Sequence, residues 1–247
     1  MELNKIYNMD CLEGMKEIPD KSVDMILCDL PYGTTACKWD TIIPFEPLWE
    51  QYERVIKDNG AIVLTASQPF TGALVMSNPK LFKYEWIWEK SKAGNFMSVK
   101  KQPQKIHENI LVFYKKQPTY NPVMEKTINK SSRNKGKIGK VNITNTIILK
   151  EEYVDNGLRY PYSIQFYCNQ SGELNNTKRL HPTQKPVPLF EYLINTYTNE
   201  NETVLDNCIG SGTTAIASLN TNRNFIGFEL DKGYFNITNE RIENAKK

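Results

Sequence analysis

Residues 203–229 constrain the fold of this 247-residue chain more than any other segment. A short apolar run at 203–205 is followed by a glycine-rich stretch at 206–212. Residues 213–219 have the composition of a helix, and a second apolar run at 225–228 ends next to an acid. This order predicts a strand, a tight turn, a helix and a parallel strand, which together form a unit of an α/β sheet.

The glycine-rich turn of this unit is a candidate ligand site. Glycine lets backbone come close to a ligand, and a helix N-terminus offers free N–H groups. The spacing Gly210-x-Gly212-x-x-Ala215, with Glu229 after the next strand, also fits the dinucleotide fingerprint. Two features argue against a nicotinamide cofactor. Asp206 would repel a pyrophosphate but could accept a hydrogen bond from an ammonium group, and few residues follow the motif.

A second informative segment is Asp29-Leu30-Pro31-Tyr32, which follows the apolar run 23–28. An acid at the end of a buried strand can accept a hydrogen bond from the exocyclic amine of a base, and a backbone carbonyl can accept another. Pro31 fixes its own φ and favours extended geometry at Leu30, while Tyr32 offers a stacking surface. An isolated motif of this length also occurs in ordinary turns, so its weight depends on the rest of the chain.

Taken together, the two segments resemble the S-adenosylmethionine-dependent amino-group DNA methyltransferases. Residues 181–186 (HPTQKP) and 8–11 (NMDC) are similar to two further blocks of that family. The motif order is that of its β-type members, which have the catalytic motif before the cofactor loop. The family usually has proline where this chain has Leu30, but it uses the backbone carbonyl there, which leucine also supplies.

The resemblance implies a role for each matched residue. The catalytic residues would be Asp29, Leu30, Pro31 and Tyr32. The residues that bind S-adenosylmethionine would be Asp10, Thr183, Lys185, Asp206, Cys208, Gly210, Ser211, Gly212, Thr213 and Glu229. His181 and His107 are interpreted as structural, and Trp39-Asp40 as a candidate for ordering the catalytic loop.

The expected fold is α/β, a doubly wound and mainly parallel sheet of the class I methyltransferase or Rossmann-like kind. Its predicted parts are a catalytic part at 1–114, a target-recognition insert at 115–157 and a cofactor-binding part at 158–247. The resemblance adds an antiparallel strand pair around Trp86 and Val112. The segment Glu46 to Lys57 is predicted to be a helix stopped by Asn59-Gly60.

The charge distribution predicts a polyanionic partner. Residues 90–140 hold 13 basic and two acidic residues, whereas the rest of the chain holds 18 basic and 26 acidic ones. A solvated loop without a ligand is the alternative. The candidate DNA contacts are Lys92, Lys101, Lys130, Arg133, Lys135 and Lys137, with Asn129, Asn134 and Arg133 as candidates for reading bases.

The favoured reaction is methyl transfer to the amino group of a flipped adenine in double-stranded DNA. The acid at position 29 favours adenine, because cytosine-amino members of the family more often have serine there. The alternatives are the cytosine 4-amino group, RNA, a protein amide, or an inactive nucleic-acid-binding homologue. A cognate restriction endonuclease is a candidate partner, and both monomer and homodimer stay open.

The remaining composition excludes several classes of protein. The five cysteines form no CxxC pair and no disulfide-like spacing, so neither a structural zinc nor any other metal site is expected. No proline precedes a cysteine, which excludes the Pro-Cys nucleophile of cytosine carbon-5 methyltransferases. No apolar run reaches membrane-spanning length and no signal peptide is visible, so a cytoplasmic location is expected.

Overall fold

The computed structural model describes residues 1–35, 37, 40–126, 157–169 and 184–246. The strands are β1 (Lys5–Tyr7), β2 (Val23–Cys28), β3 (Ile56–Ala66), β4 (Phe82–Glu89), β5 (His107–Phe113), β6 (Glu125–Lys126), β7 (Leu158–Arg159), β8 (Ile164–Phe166), β9 (Thr203–Asp206) and β10 (Asn224–Phe228). The helices are α1 (Cys11–Met15), α2 (Phe45–Val55), α3 (Phe70–Ser77), α4 (Val187–Tyr197), α5 (Thr213–Asn220) and α6 (Lys232–Ala245). The chain divides into a unit of residues 1–121 and 162–247 and a unit of residues 122–161.

The larger unit is built on an eight-stranded sheet with the order β1-β10-β9-β2-β3-β5-β4-β8. Strands β1, β10, β9, β2 and β3 run parallel, whereas β5 is antiparallel to both β3 and β4. The predicted antiparallel pair is present, with Tyr84 opposite Val112. The expected mainly parallel α/β fold is therefore confirmed.

Helices cover both faces of this sheet, as the alternation of side chains along β2 requires. Met25 and Leu27 belong to a buried cluster that includes α4 and α5 side chains such as Leu189. Ile26 and Cys28 point to the other face and join a cluster that includes Leu48 of α2. Because both faces of β2 are buried, residues 25–28 are all apolar, which is the pattern of a central parallel strand.

The predicted end of α2 is wrong. The helix ends at Val55, and β3 begins with the next residue and runs through Asn59 and Gly60. A Cβ atom at Gly60 would lie 2.7 Å from the carbonyl oxygen of Asp24. Glycine thus allows β3 to approach β2 where their pairing shifts register, instead of ending the helix.

The smaller unit spans Pro122–Pro161, and its described part contains β6 paired antiparallel with β7. Most of the predicted insert, including residues 127–156, lies outside the described residues. Across the ranges that the structure describes, no helix is long and apolar enough to cross a membrane.

Candidate active site

A cavity of about 900 Å³ opens at the edge of the sheet where the parallel strands end. Four acids that are far apart in sequence line this cavity: Asp10, Asp29, Asp206 and Glu229. Asp29 follows β2 and Asp206 ends β9, and these two strands are neighbours in the sheet. Ligands of open α/β sheets bind at such carboxyl ends, so the topology brings the two predicted motifs into one site.

The Asp29 carboxylate is held by three donors. Its Oδ1 atom accepts from the hydroxyl groups of Tyr32, at 2.8 Å, and of Thr65. Its Oδ2 atom accepts from the Lys185 ammonium at 2.7 Å. A carboxylate offers about four lone-pair sites, so one acceptor position is left for a substrate hydrogen.

The Tyr32 side chain contacts other residues of the protein through both its ring and its hydroxyl group. Its ring stacks on Phe70 with centroids 5.2 Å apart, while its hydroxyl group donates to Asp29. Burial, followed by the charges of Asp29 and Glu108, raises the pKa of Tyr32 well above its usual value. Tyr32 therefore stays protonated and acts as a donor to the carboxylate.

The side chain and the backbone carbonyl of Leu30 have different surroundings. The side chain is 3% exposed and packs with the α2 face of the core. No residue in the described ranges donates a hydrogen bond to its carbonyl oxygen. An apolar residue at this position thus anchors the motif and still presents a second acceptor to the cavity.

The loop after the motif is ordered by Asp40. Its carboxylate accepts from the backbone N–H groups of Gly33, Thr34 and Thr35 at 2.7 to 2.9 Å. Gly33 has a φ of +66°, a conformation that glycine adopts without strain. The expectation that residues 39–40 order the loop agrees with these contacts at Asp40, while Trp39 lies outside the described residues.

Asp206 forms the floor of the other half of the cavity. It is 3% exposed, and it accepts from the Thr214 hydroxyl and from the Cys208 N–H at 3.0 Å. Burial raises the pKa of Asp206 to about 6, although these hydrogen bonds oppose the rise. No cation from the described residues is paired with this carboxylate, so a cationic group of a ligand could neutralise its charge.

Glu229 follows β10 and closes the glycine-rich loop. It accepts from Gly210 N–H at 2.9 Å and from Asp231 N–H at 2.8 Å. Burial raises the pKa of Glu229 to about 7. Gly210 has a φ of +53°, so the loop needs glycine at this point.

Most of the other predicted cofactor residues border the cavity, with two exceptions. Asp10 caps α1 by accepting from the N–H groups of Leu12 and Glu13, and it also lines the cavity. Gly212 does not border the cavity; a Cβ atom there would lie 2.4 Å from Thr238 of α6. Thr183 lies outside the described residues. The cavity is bordered by the rest of the set, namely Lys185, Cys208, Ser211 and Thr213.

Sequence reasoning missed part of the catalytic half. It assigned Lys185 to the cofactor, whereas the Lys185 ammonium contacts Asp29 and, at 3.4 Å, Glu108. Thr65 and Glu108 were not candidates at all, because each carries no local motif. Their only signal is position: β3 and β5 are sheet neighbours near β2, and this pairing is visible only in the fold.

The candidate DNA contacts are only partly described. Lys92 and Lys101 are exposed in the loop between β4 and β5 and do not border the cavity, whereas Lys90 of the same loop does. The remaining candidates all lie outside the described residues: Asn129, Lys130, Arg133, Asn134, Lys135 and Lys137.

The residues of the cavity fit S-adenosylmethionine better than a dinucleotide. A buried carboxylate at Asp206 suits an ammonium group, and Glu229 suits a ribose diol. Both acids would repel a pyrophosphate placed at the glycine-rich loop. The volume lies within the range of about 300–1,000 Å³ that is common for small-molecule sites.

This sheet order, with an acid-lined cavity at the ends of β2 and β9, defines a protein with the class I methyltransferase fold. The model of the N6/N4 DNA methylase family matches residues 23–240, so the chain belongs to that family. The type II methyltransferase M1.MboII of Moraxella bovis is 30% identical over 264 residues, covering 97% of this chain and 96% of the relative.

Two further proteins extend the comparison. The DNA adenine methyltransferase YhdJ of Escherichia coli strain K12 is 28% identical over 264 residues, covering 99% of this chain and 84% of that protein. The crystal structure of the M1.HpyAVI–SAM complex matches with a TM-score of 0.64 at 25% identity, covering 96% of this chain and 98% of that one. Membership of this family confirms the expected activity, which is S-adenosylmethionine-dependent methylation of amino groups in DNA.

Proposed function

We propose that the protein is a site-specific adenine methyltransferase that acts on the exocyclic amino group of an adenine flipped out of double-stranded DNA. The observation that carries this proposal is that the Asp29 carboxylate and a Leu30 carbonyl that accepts no hydrogen bond from the described residues border the same cavity as Asp206 and Glu229. An acid at position 29 and the similarity to a DNA adenine methyltransferase favour adenine over cytosine.

The cofactor half of the cavity would bind S-adenosylmethionine through charged side chains and through the backbone of the glycine-rich loop. S-adenosylmethionine, when bound, supplies a methyl group activated on a sulfonium. Asp206 would accept from its ammonium group, and Glu229 would accept from its ribose hydroxyl groups. The left-handed conformation of Gly210 would let the loop backbone come close to this ligand.

The catalytic half holds the target amine. The lone pair of a purine amine is delocalised into the ring, so the amine is a poor nucleophile. Asp29 and the Leu30 carbonyl can each accept one amine hydrogen, which favours a pyramidal nitrogen with its lone pair directed at the methyl group. Catalysis then depends mostly on orientation, and no covalent enzyme intermediate is needed.

The remaining parts of the proposal concern DNA. The target base cannot reach the cavity from inside a duplex, so it must leave the base stack. We assign residues 115–157 to target recognition, and the exposed Lys92 and Lys101 to phosphate contacts near the cavity. The similarity to a type II methyltransferase supports a cognate restriction endonuclease as a partner system.

A labelled-methyl transfer assay on unmethylated duplex DNA tests the proposal. Nucleoside mass spectrometry of the product should show N6-methyladenine, whereas N4-methylcytosine would reassign the target base. Transfer to RNA but not to DNA would reassign the substrate. Sequencing of the methylated positions then gives the recognition site and shows which endonuclease the modification blocks.

The Asp29→Ala variant tests the role of the carboxylate. Transfer should be abolished while the affinity for S-adenosylmethionine, measured by calorimetry, stays within a few-fold. Retention of more than about a tenth of the wild-type turnover, a loss of only ~1.4 kcal/mol, would contradict the assigned role. The matched control is Asp58→Ala, which removes a surface carboxylate that is paired with Lys21 at the opposite end of β3.

A further inference from the structure

Four charged side chains that all border the cavity alternate in sign along one row of contacts. They are Asp29, Lys185, Glu108 and Lys90, and are called the charge row below. The Lys185 ammonium lies 2.7 Å from Asp29 Oδ2 and 3.4 Å from Glu108 Oε2, and Lys90 pairs with Glu108 Oε1. The side chain of Lys185 is 6% exposed and that of Glu108 is 13% exposed, so water contributes little to either.

The fold assembles the charge row from four separate places. Asp29 follows β2, Lys185 lies just before α4, Glu108 is in β5, and Lys90 follows β4. Glu108 Oε2 has no hydrogen-bond partner among the described residues, and Lys185 and Lys90 together compensate the charge of the carboxylate. Buried ion pairs contribute little net stability, which makes a purely stabilising role for this row a weak explanation.

The electrostatics keep Lys185 charged. Burial lowers the pKa of Lys185, but the charges of Asp29 and Glu108 outweigh it and raise the pKa overall. Burial likewise raises the pKa of Glu108, and the charges of Lys185 and Lys90 outweigh it in the other direction. Both groups therefore carry their full charge beside the catalytic carboxylate.

We propose that Lys185 is a positioning residue, which holds the Asp29 carboxylate turned so that its one remaining acceptor site faces the target amine. Glu108 balances the charge of Lys185, and Lys90 in turn balances the charge of Glu108. This inference rests on the role proposed above for Asp29. It changes the assignment of Lys185 from the cofactor to the catalytic half of the cavity.

The geometry explains why a cation is needed at this point. Asp29 Oδ1 is held by the Tyr32 and Thr65 hydroxyl groups, and Lys185 alone among the described residues holds Oδ2. Without the ammonium, the carboxylate can rotate, and Asp29 and Glu108 would face each other as like charges. Like charges at close range favour protonation of one carboxylate, which would remove the acceptor.

The effect can be measured as a pH profile of the chemical step. The titratable groups around Asp29 are Cys28, Tyr32, Glu108, Lys185 and Asp206. Burial raises the pKa of Cys28 to about 12, so it stays neutral like Tyr32. Asp206 titrates near pH 6, and saturating S-adenosylmethionine removes its contribution from single-turnover rates.

The experiment compares single-turnover methylation of duplex DNA by Lys185→Met, Lys185→Arg and Glu108→Gln from about pH 5 to pH 8. Lys185→Met should be about 100-fold slower because the acceptor is misplaced, and the fall in rate at low pH should move to higher pH. Lys185→Arg should recover part of the rate and reverse the pH shift. Glu108→Gln should move the fall to lower pH, because Lys185 then acts on Asp29 alone.

Controls separate positioning from folding. Lys116→Met removes a lysine that pairs with Asp58 at 3.2 Å at the opposite end of the sheet, and it should alter neither rate nor pH profile. Thermal unfolding and calorimetric affinity for S-adenosylmethionine are measured for every variant. If Lys185→Met does not fold, the direction in which Glu108→Gln moves the pH profile decides whether the inference holds.

Three outcomes are decisive. A Lys185→Met rate within about threefold of wild type, with an unmoved pH profile, overturns the inference if Asp29→Ala is inactive. An active Asp29→Ala variant shows instead that the role proposed for Asp29 has failed. Glu108→Gln with an unmoved profile, or one moved to higher pH, also overturns the inference.

Discussion

The orientation of the Asp29 carboxylate depends on residues that have no motif of their own. Thr65 is fully buried at the end of β3, and its hydroxyl donates to Asp29 Oδ1. Strands β2 and β3 pair in parallel, with Cys28 opposite Leu64, so the residues that follow them are neighbours. A parallel pairing therefore supplies a second-strand donor to a catalytic residue of the first strand.

Thr65→Val tests this donor, because valine keeps the shape and removes the hydroxyl group. A hydrogen bond to a charged group contributes about 1.5–3 kcal/mol, so kcat should fall roughly tenfold to a hundredfold. KM for DNA should change little, because Thr65 contacts the carboxylate and not the duplex. Steady-state kinetics at saturating S-adenosylmethionine measures both constants.

The control for this prediction is Thr196→Val. Thr196 is also buried, but its hydroxyl donates to the Tyr192 carbonyl within α4. It should leave kcat unchanged. Equal loss of kcat in both variants would indicate a general effect of removing a buried hydroxyl group.

The two acids of the cofactor half predict a pH dependence of binding. Burial raises the pKa of Asp206 to about 6 and that of Glu229 to about 7. A neutral acid attracts an ammonium less than a carboxylate does, so affinity for S-adenosylmethionine should rise as pH rises through this range and then level off. Calorimetric titrations across the range measure this curve.

Single variants show which part of the rise in affinity belongs to Asp206 and which part to Glu229. Asp206→Asn should weaken binding and remove the step near pH 6, while Glu229→Gln should remove the step near pH 7. An affinity that falls with rising pH would contradict the proposed contacts. A thermal shift with NAD but not with S-adenosylmethionine would revive the dinucleotide interpretation.

At the scale of elements, the glycine-rich unit could be predicted closely. The sequence predicts a helix at 213–219 and a strand at the apolar run 225–228, and the structure has α5 at Thr213–Asn220 and β10 at Asn224–Phe228. Glycines, a helix start and apolar runs are local signals, so they survive without tertiary information. The junction of α2 and β3 could not be predicted, because glycine is needed at position 60 to leave room for the Asp24 carbonyl oxygen of the neighbouring strand.

Gly212 carries a testable constraint of this element. It is the N-cap residue immediately before α5 and has a φ of +83°, and a Cβ atom there would lie 2.4 Å from Thr238 Cγ2. Gly212→Ala should destabilise the protein by about 1–3 kcal/mol through backbone strain and overpacking. Chemical denaturation with S-adenosylmethionine absent measures the free energy of unfolding.

Gly94→Ala is the matched control for this change. Apart from Gly94 and its two chain neighbours, no described residue has an atom within 4 Å of the Cβ position there, and the φ of Gly94 is not in the left-handed range. Its free energy of unfolding should stay within about 0.5 kcal/mol of wild type, as for surface substitutions in general. The strain argument fails if Gly212→Ala is equally stable.

At the scale of the whole molecule, the sequence reveals the uneven charge but not how the charges are used. The net charge of residues 90–140 includes every lysine equally, but Lys90 is half-buried and pairs with Glu108, and Lys116 pairs with Asp58. Lys92 and Lys101 are exposed and have no acidic partner within the described ranges. Long-range pairing decides which lysines remain available to phosphates, and such pairing leaves no local signal.

Two sets of lysines can therefore be compared as DNA contacts. One variant neutralises the exposed Lys92, Lys100 and Lys101, and the other neutralises Lys130, Lys135 and Lys137 of the predicted insert. Phosphate contacts release counterions, so each variant should weaken binding to all sequences and flatten the salt slope by about three at most. Fluorescence anisotropy over a series of salt concentrations measures the slope, and turnover at saturating DNA should change much less.

A control triple makes the comparison specific to position. Lys5, Lys16 and Lys21 already pair with Glu2, Glu13 and Asp58, so their neutralisation should leave the salt slope unchanged. A flattened slope in the first variant alone would place the duplex over the loop between β4 and β5. A flattened slope in the second alone would place it on the insert. If neither variant alters affinity or slope, both segments are solvated surfaces and the duplex contacts other residues.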